Sequence, residues 1–143
     1  MTVNVVIDTN VFVSALMSAN GASRRVLRLC FLGEVKPLMG NALLSEHEDL
    51  IGRTELFRKS AISAGERREF LDAYLSVCNW VPIYFLWRPN LRDEADNHLI
   101  ELALAGGASA IVTANARDFA NAELSFPELS IVSAGQFLTK GAN

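Results

Sequence analysis

With 143 residues, half of them hydrophobic and a fifth charged, the chain is long enough to bury one sizeable core, too short for two ordinary domains and too apolar for a disordered protein. Sixteen acidic against thirteen basic residues leave a net charge of −3, which excludes a binder that coats phosphates with cations, so any nucleic-acid role must rest on local sites. The opening MTVNVVIDTN resembles no signal peptide, no stretch reaches membrane-span length, and Cys30 and Cys78 form no CxxC or disulfide framework; one cytoplasmic domain over residues 1–143, with core thiols, is expected.

Val3 to Ile7 is short, β-branched and apolar, as suits a strand buried on both faces, and it ends at Asp8-Thr9-Asn10. Val26, Leu27, Cys30 and Phe31 then follow helical spacing, with Ser23 placed to cap the start and Gly33 the end. A second strand is expected at Val35 to Met39, and a helix after Asn41 that carries Leu43, Leu44, Glu46, Leu50 and Ile51 and stops at Gly52. Ser63 with Glu66 matches a capping box and opens a helix through Phe70, Leu71, Tyr74 and Leu75.

Val81 to Trp87 reads as a strand that Pro82 confines to an edge or delays. Asp93 is placed to cap a helix that runs to Ala105 and closes at Gly106-Gly107. Strands at Ala110 to Thr113 and Leu129 to Val132 follow, and a short helix ends the chain. Strands alternating with helices imply an α/β fold of three layers, a mainly parallel sheet flanked by helices, whose ligands bind beyond the carboxyl ends of the strands. Asp8 and the segment after Thr113 fall at those ends.

Two carboxylates interrupt apolar stripes. Glu46 shares a helix face with Leu43 and Leu50, and Asp96 shares one with Leu99, Ile100 and Ala103, while Asp93 points the same way one turn earlier. Each acid has a structural alternative: Asp8 can cap a helix starting near Asn10, Asp93 can cap its own helix, and Glu46 can pair with Arg24 or Arg28. Gathered at one sheet edge, however, ionised carboxylates about 4 Å apart repel by roughly 4 kcal/mol per pair, a large share of a domain's stability, unless a cation neutralises them. Oxygen ligands without clustered Cys or His favour Mg²⁺ or Mn²⁺. His47 and His98 are read as surface or half-buried imidazoles, and most of the arginines in the clusters Arg24, Arg25, Arg28 and Arg53 to Arg68 as solvated helix faces.

These residues resemble the PIN-domain family of metal-dependent ribonucleases, which includes toxins of toxin-antitoxin pairs. The resemblance rests on VVIDTNVFVSAL at residues 5–16, ALLSEHEDLIGR at 42–53, RDEADNHLIELALAGGASAIVTANARDF at 92–119 and the closing SIVSAGQFL. It implies that Asp8, Glu46, Asp96 and Asp118 are the catalytic metal-binding acids, with Asp93 as an auxiliary. Many members carry Asp where this chain has Asn115, so the resemblance assigns the late carboxylate to Asp118 and an amide oxygen or hydrogen bond to Asn115. Thr9, Asn10 and Thr113 are implied to orient the acids or contact a phosphate, and as turn and strand-end residues they also have an ordinary structural role.

The activity so implied is hydrolysis of RNA with metal-activated water and no covalent enzyme intermediate; Ser14, Ser45 and Cys30 have no triad-like partners. The implied partners are RNA, a cognate antitoxin and a second copy of the chain, and Phe57, Phe85 and Trp87 either form such a surface or belong to the core. The alternative is a PIN-like module with weakened catalysis that binds or assembles, for which Asn115 speaks. A haloacid-dehalogenase-like phosphatase needs a second Asp where Asn10 stands, and a dinucleotide-binding domain needs a GxGxxG after the first strand.

Overall fold

The structure, a computed structural model, describes residues 2–82, 97–119 and 126–141. Five parallel strands, β1 (Val3–Ile7), β2 (Val35–Met39), β3 (Asn79–Trp80), β4 (Ala110–Val112) and β5 (Ser130–Val132), form one sheet in the order β3-β2-β1-β4-β5. Among the described residues the α-helices are α1 (Thr9–Met17), α2 (Ala22–Phe31), α3 (Asn41–Ile51), α4 (Ala64–Val77), α5 (Asn97–Gly106) and α6 (Ala134–Gly141).

The chain moves from β1 through β2 to β3 in one direction and then crosses back to β4 on the other side of β1. Right-handed crossovers therefore put α1 to α4 over one face and α5 over the other, which gives the expected three layers. Val5, Val6 and Ile7 of the central strand are wholly buried as a result, and the β-branched run has an apolar partner on both sides. On the first face Phe12 packs among His47, Phe70 and Tyr74.

Several expected boundaries shift. A helix, α1, starts directly after Asp8, where only a capping alternative had pointed to one. Gly21 and Gly40, not Ser23 and Asn41, precede α2 and α3, and neither helix has a side-chain cap. Gly33 does end α2: it takes φ +80, and the amide of Glu34 bonds back to the carbonyl of Leu29, closing the helix in a left-handed turn that glycine adopts without strain. The capping box of Ser63 and Glu66 forms as expected.

The third strand pairs at Asn79–Trp80, and the Val81 amide adds a bond to Met39, so the paired stretch ends before Pro82 on a sheet edge; residues 83–87 of the expected strand lie outside the described residues. Phe57 is buried in the core and cannot serve a partner surface, while Phe85 and Trp87 lie outside the described residues. Arg67 also departs from the solvated reading: it is buried, donates to the carbonyls of Ile51 and Ile62, and covers the ring of Phe57. Cys30 is buried and Cys78 half-buried, and burial pushes both thiols up to about 12, as core thiols. No helix among the described residues is long and apolar enough to cross a membrane.

Candidate active site

The strand order reverses at β1 and β4, the position where open α/β sheets leave a crevice at their carboxyl ends. The register aligns Ile7 with Val112, so the next residues, Asp8 and Thr113, face each other at the edge of that crevice. The Asp8 amide bonds to the Val112 carbonyl at 2.9 Å, which carries the ladder one step past the strand.

Asp8 precedes α1 with extended backbone, and its carbonyl accepts from the amides of Val11 and Phe12, but its carboxylate makes no capping bond to the helix. The side chain turns to β4 instead. Its Oδ2 accepts from the Thr113 hydroxyl at 2.7 Å and from Asn10 Nδ2 at 3.2 Å. Asn10 Oδ1 in turn accepts from the Ala114 amide, and the Thr113 hydroxyl oxygen accepts from the Asn115 amide. Thr113 and Asn10 thus lock the turn after β4 to the turn after β1 and aim one carboxylate. Asn115 itself is exposed on that turn.

Asp8 is only 5% exposed, and burial pushes its carboxyl above the ordinary 3.8; the nearby Glu46 pushes the same way, against the hydrogen bond from Thr113. Glu46 is half-buried on α3. The core-facing stripe of that helix is Leu43, His47 and Ile51, and Glu46 stands at its margin, open to the crevice. Neither Arg24 nor Arg28 holds it: Arg24 donates to the Ala15 carbonyl, whereas His98 Nε2 on α5 lies 3.4 Å from Glu46 Oε2. Chiefly this contact, aided by the Thr9 hydroxyl, holds the Glu46 carboxyl below its ordinary value.

Thr9 is fully buried, and its Oγ1 lies 2.8 Å from Nδ1 of His47, which is also 3.0 Å from the Leu43 carbonyl. His47 is therefore not a surface or half-buried ring. It is wholly buried between Phe12 and Tyr74, and desolvation lowers its pKa to about 4, so it is neutral at physiological pH.

Asp8 and Glu46, with Thr9, Asn10, Thr113 and Asn115, are thus placed about the carboxyl ends of β1 and β4 and the middle of α3. Asp93 and Asp96 lie outside the described residues, and so does the side chain of Asp118, whose backbone belongs to a short 3-10 turn, Ala116–Phe119. Among the described residues no three His, Cys, Asp or Glu side chains come together as a metal group. The two described acids fit a hard divalent cation in kind: both offer oxygen, they repel one another, and the more buried one is uncomfortable when ionised. Sequence reasoning missed His98 and Glu101. The signal for the second was present in NHLIELALAG, a carboxylate within a helix whose neighbours Leu99, Ile100, Leu102 and Ala103 are all buried.

A family model described as the PIN domain matches residues 4–117. No curated protein matches the chain. Among solved structures the chain is similar to one described as VapBC2 from Rickettsia felis bound to a DNA fragment from their promoter, at 18% identity and a TM-score of 0.57, over 90% of this chain and 96% of that one.

Proposed function

This chain belongs to the PIN-domain family, and on that premise we propose that it is an endoribonuclease that hydrolyses RNA with Mg²⁺ or Mn²⁺ and acts as the toxin of a type II toxin-antitoxin pair. The observation that carries the reading is the carboxylate of Asp8, buried at the switch point of a parallel sheet, committed to no helix cap, and pressed by Glu46. A protein with no use for that charge has no reason to keep it desolvated beside another.

In this reading Asp8, Glu46, Asp96 and Asp118 hold the cation, with Asn115 and Asp93 as further ligands. A divalent cation bound there supplies positive charge to the phosphodiester and makes water a competent nucleophile at neutral pH. Thr113 and Asn10 keep Oδ2 of Asp8 in one orientation, so that the carboxylate does not reorganise when the phosphate arrives. Thr9 and His98 do the same for Glu46. Through Thr9 the buried His47 ring braces both acids, because Thr9 directly follows Asp8 and its hydroxyl lies against the ring. RNA is the substrate, and a cognate antitoxin and a homodimer complete the proposal; the likeness to a VapBC2 structure supports a fold suited to such pairing.

The test is cleavage of single-stranded RNA by the purified chain. Mn²⁺ or Mg²⁺ is expected to support cutting, and EDTA, Asp8→Asn or Asp96→Asn to abolish it. Cleavage that persists in EDTA refutes the mechanism. RNA binding without cleavage at any metal concentration favours the module with weakened catalysis, for which Asn115 in place of an acid is the supporting feature.

A further inference from the structure

A cavity of about 420 Å³ opens at the carboxyl ends of β2 and β3, beside the acids at the end of β1. That volume lies within the range of small-molecule sites. Its walls include Gly40, Leu43, Val81 and Leu102, which are apolar, and Trp80, His98 and Glu101, which are not. The cavity is continuous with the acid pair through His98, which lines it and also contacts Glu46.

Three features give the cavity a chemistry. Trp80, on the two-residue edge strand, is half exposed and lines the cavity with aromatic surface. Glu101 is only 6% exposed, yet its Oε1 has no hydrogen-bond partner among the described residues. Nδ1 of His98 is buried and unpartnered in the same way. A carboxylate only accepts hydrogen bonds, and one left buried without a donor is costly, so the cavity calls for a ligand that brings N–H groups on a flat apolar body.

We infer that this cavity is a base-binding subsite, which seats one nucleobase of the RNA strand against Trp80 and reads its donor edge with Glu101, guanine before the other bases. Guanine offers two adjacent N–H donors, N1–H and the N2 amine, to a single carboxylate, whereas uracil offers one ring N–H between two carbonyls that a carboxylate repels. Stacking on an aromatic ring adds affinity to any base, and the Watson–Crick edge of an unstacked base is the part that proteins read in single-stranded RNA. Gly40 leaves the cavity its depth: a Cβ there would already meet Leu102 Cδ1 at 3.4 Å and the Val81 carbonyl at 3.7 Å, and any longer side chain would project between them. The subsite would fix which nucleotide adjoins the cleaved bond, and in that respect it rests on the ribonuclease reading.

Binding tests it independently of cleavage. Guanosine monophosphate and uridine monophosphate are titrated calorimetrically in EDTA into wild type, Glu101→Gln and Trp80→Ala, with circular dichroism confirming each fold. The guanine nucleotide is expected to bind wild type saturably and at least several-fold more tightly than the uracil nucleotide, and to lose roughly tenfold in affinity in each variant, the change expected from one base stack or one charge-assisted hydrogen bond. Trp80 lies at an exposed edge, so its variant remains informative even where Glu101→Gln disturbs the core. Equal binding of the two nucleotides, no binding of either, or unchanged binding by folded Glu101→Gln overturns the inference. Guanine-selective binding by a protein that cuts no RNA upholds the subsite and refutes the ribonuclease.

Discussion

The Thr113 hydroxyl donates to Oδ2 of Asp8 at 2.7 Å, in a buried contact between the ends of two adjacent parallel strands that lie 105 residues apart in the chain. Because the same oxygen accepts from the Asn115 amide, the hydroxyl's one hydrogen is directed to the acid and its orientation is set. Thr113→Val keeps the shape and removes the donor. The Asp8 carboxyl, already raised by burial, then rises further, so the acid limb of the rate profile is expected to move to higher pH. Stability at pH 7 is expected to fall by about 1–3 kcal/mol, the usual penalty for a buried polar group deprived of its partner. An unchanged pH–rate profile would show that the hydroxyl does not govern this acid.

Asp8 itself is expected to trade stability for function. Its folded pKa lies above the unfolded value, so the folded state holds the proton more tightly, and the protein loses stability as pH rises through the folded value. Without metal, Asp8→Asn should therefore melt higher than wild type at pH 7, and the gap should close as the pH falls below the ordinary carboxylate range. Mn²⁺ should raise the melting temperature of wild type and barely move that of the variant, because a ligand stabilises only the state that binds it. Equal shifts in both proteins would place the cation elsewhere.

His47 titrates with the opposite consequence. Its pKa falls from 6.5 to about 4 on folding, so between those values the unfolded chain binds the extra proton and stability drops as the solution is acidified. The fall corresponds to roughly 3 kcal/mol between pH 7 and pH 4. Urea denaturation across that range is expected to show it in wild type and to show a flatter dependence in His47→Leu. A variant as acid-sensitive as wild type would assign the loss to other groups.

Arg67 offers a control remote from the acids. Its guanidinium donates to the Ile51 carbonyl at 2.8 Å and lies 4.4 Å from the centre of the Phe57 ring, joining the end of α3 to the start of α4. Arg67→Met retains the apolar stem and is expected to lower stability by about 1–3 kcal/mol through the carbonyls it leaves unpaired. Cleavage per folded molecule should be unchanged, and a selective loss of activity would tie Arg67 to the substrate instead.

Local pattern carried much of the fold. The β-branched run from Val3 to Ile7, the capping box at Ser63 and Glu66 and the glycine stop at Gly33 each state their element within a few residues, because strand burial, capping and positive φ are short-range matters. The start of α1 was harder to read, since Asp8 has the composition of a cap while its side chain bonds across the sheet. His47 was misread for a related reason, while His98 is half-buried as expected: adjacent residues of a helix face different directions, and only the packing of Phe12 and Tyr74 around the His47 ring decides that it belongs to the core.

From its residues alone the chain determines an alternating strand-helix order, a first strand that ends in an acid, and a glutamate on the helix after the second strand. Those properties follow from neighbours in sequence. Which donor holds Asp8, which ring holds Glu46, and that Trp80 and Glu101 share a cavity were decided by the sheet order β3-β2-β1-β4-β5, which brings the ends of distant strands together. Hydrogen bonds and Coulomb forces act over a few ångströms, and periodicity says which face a residue occupies but not what waits opposite it.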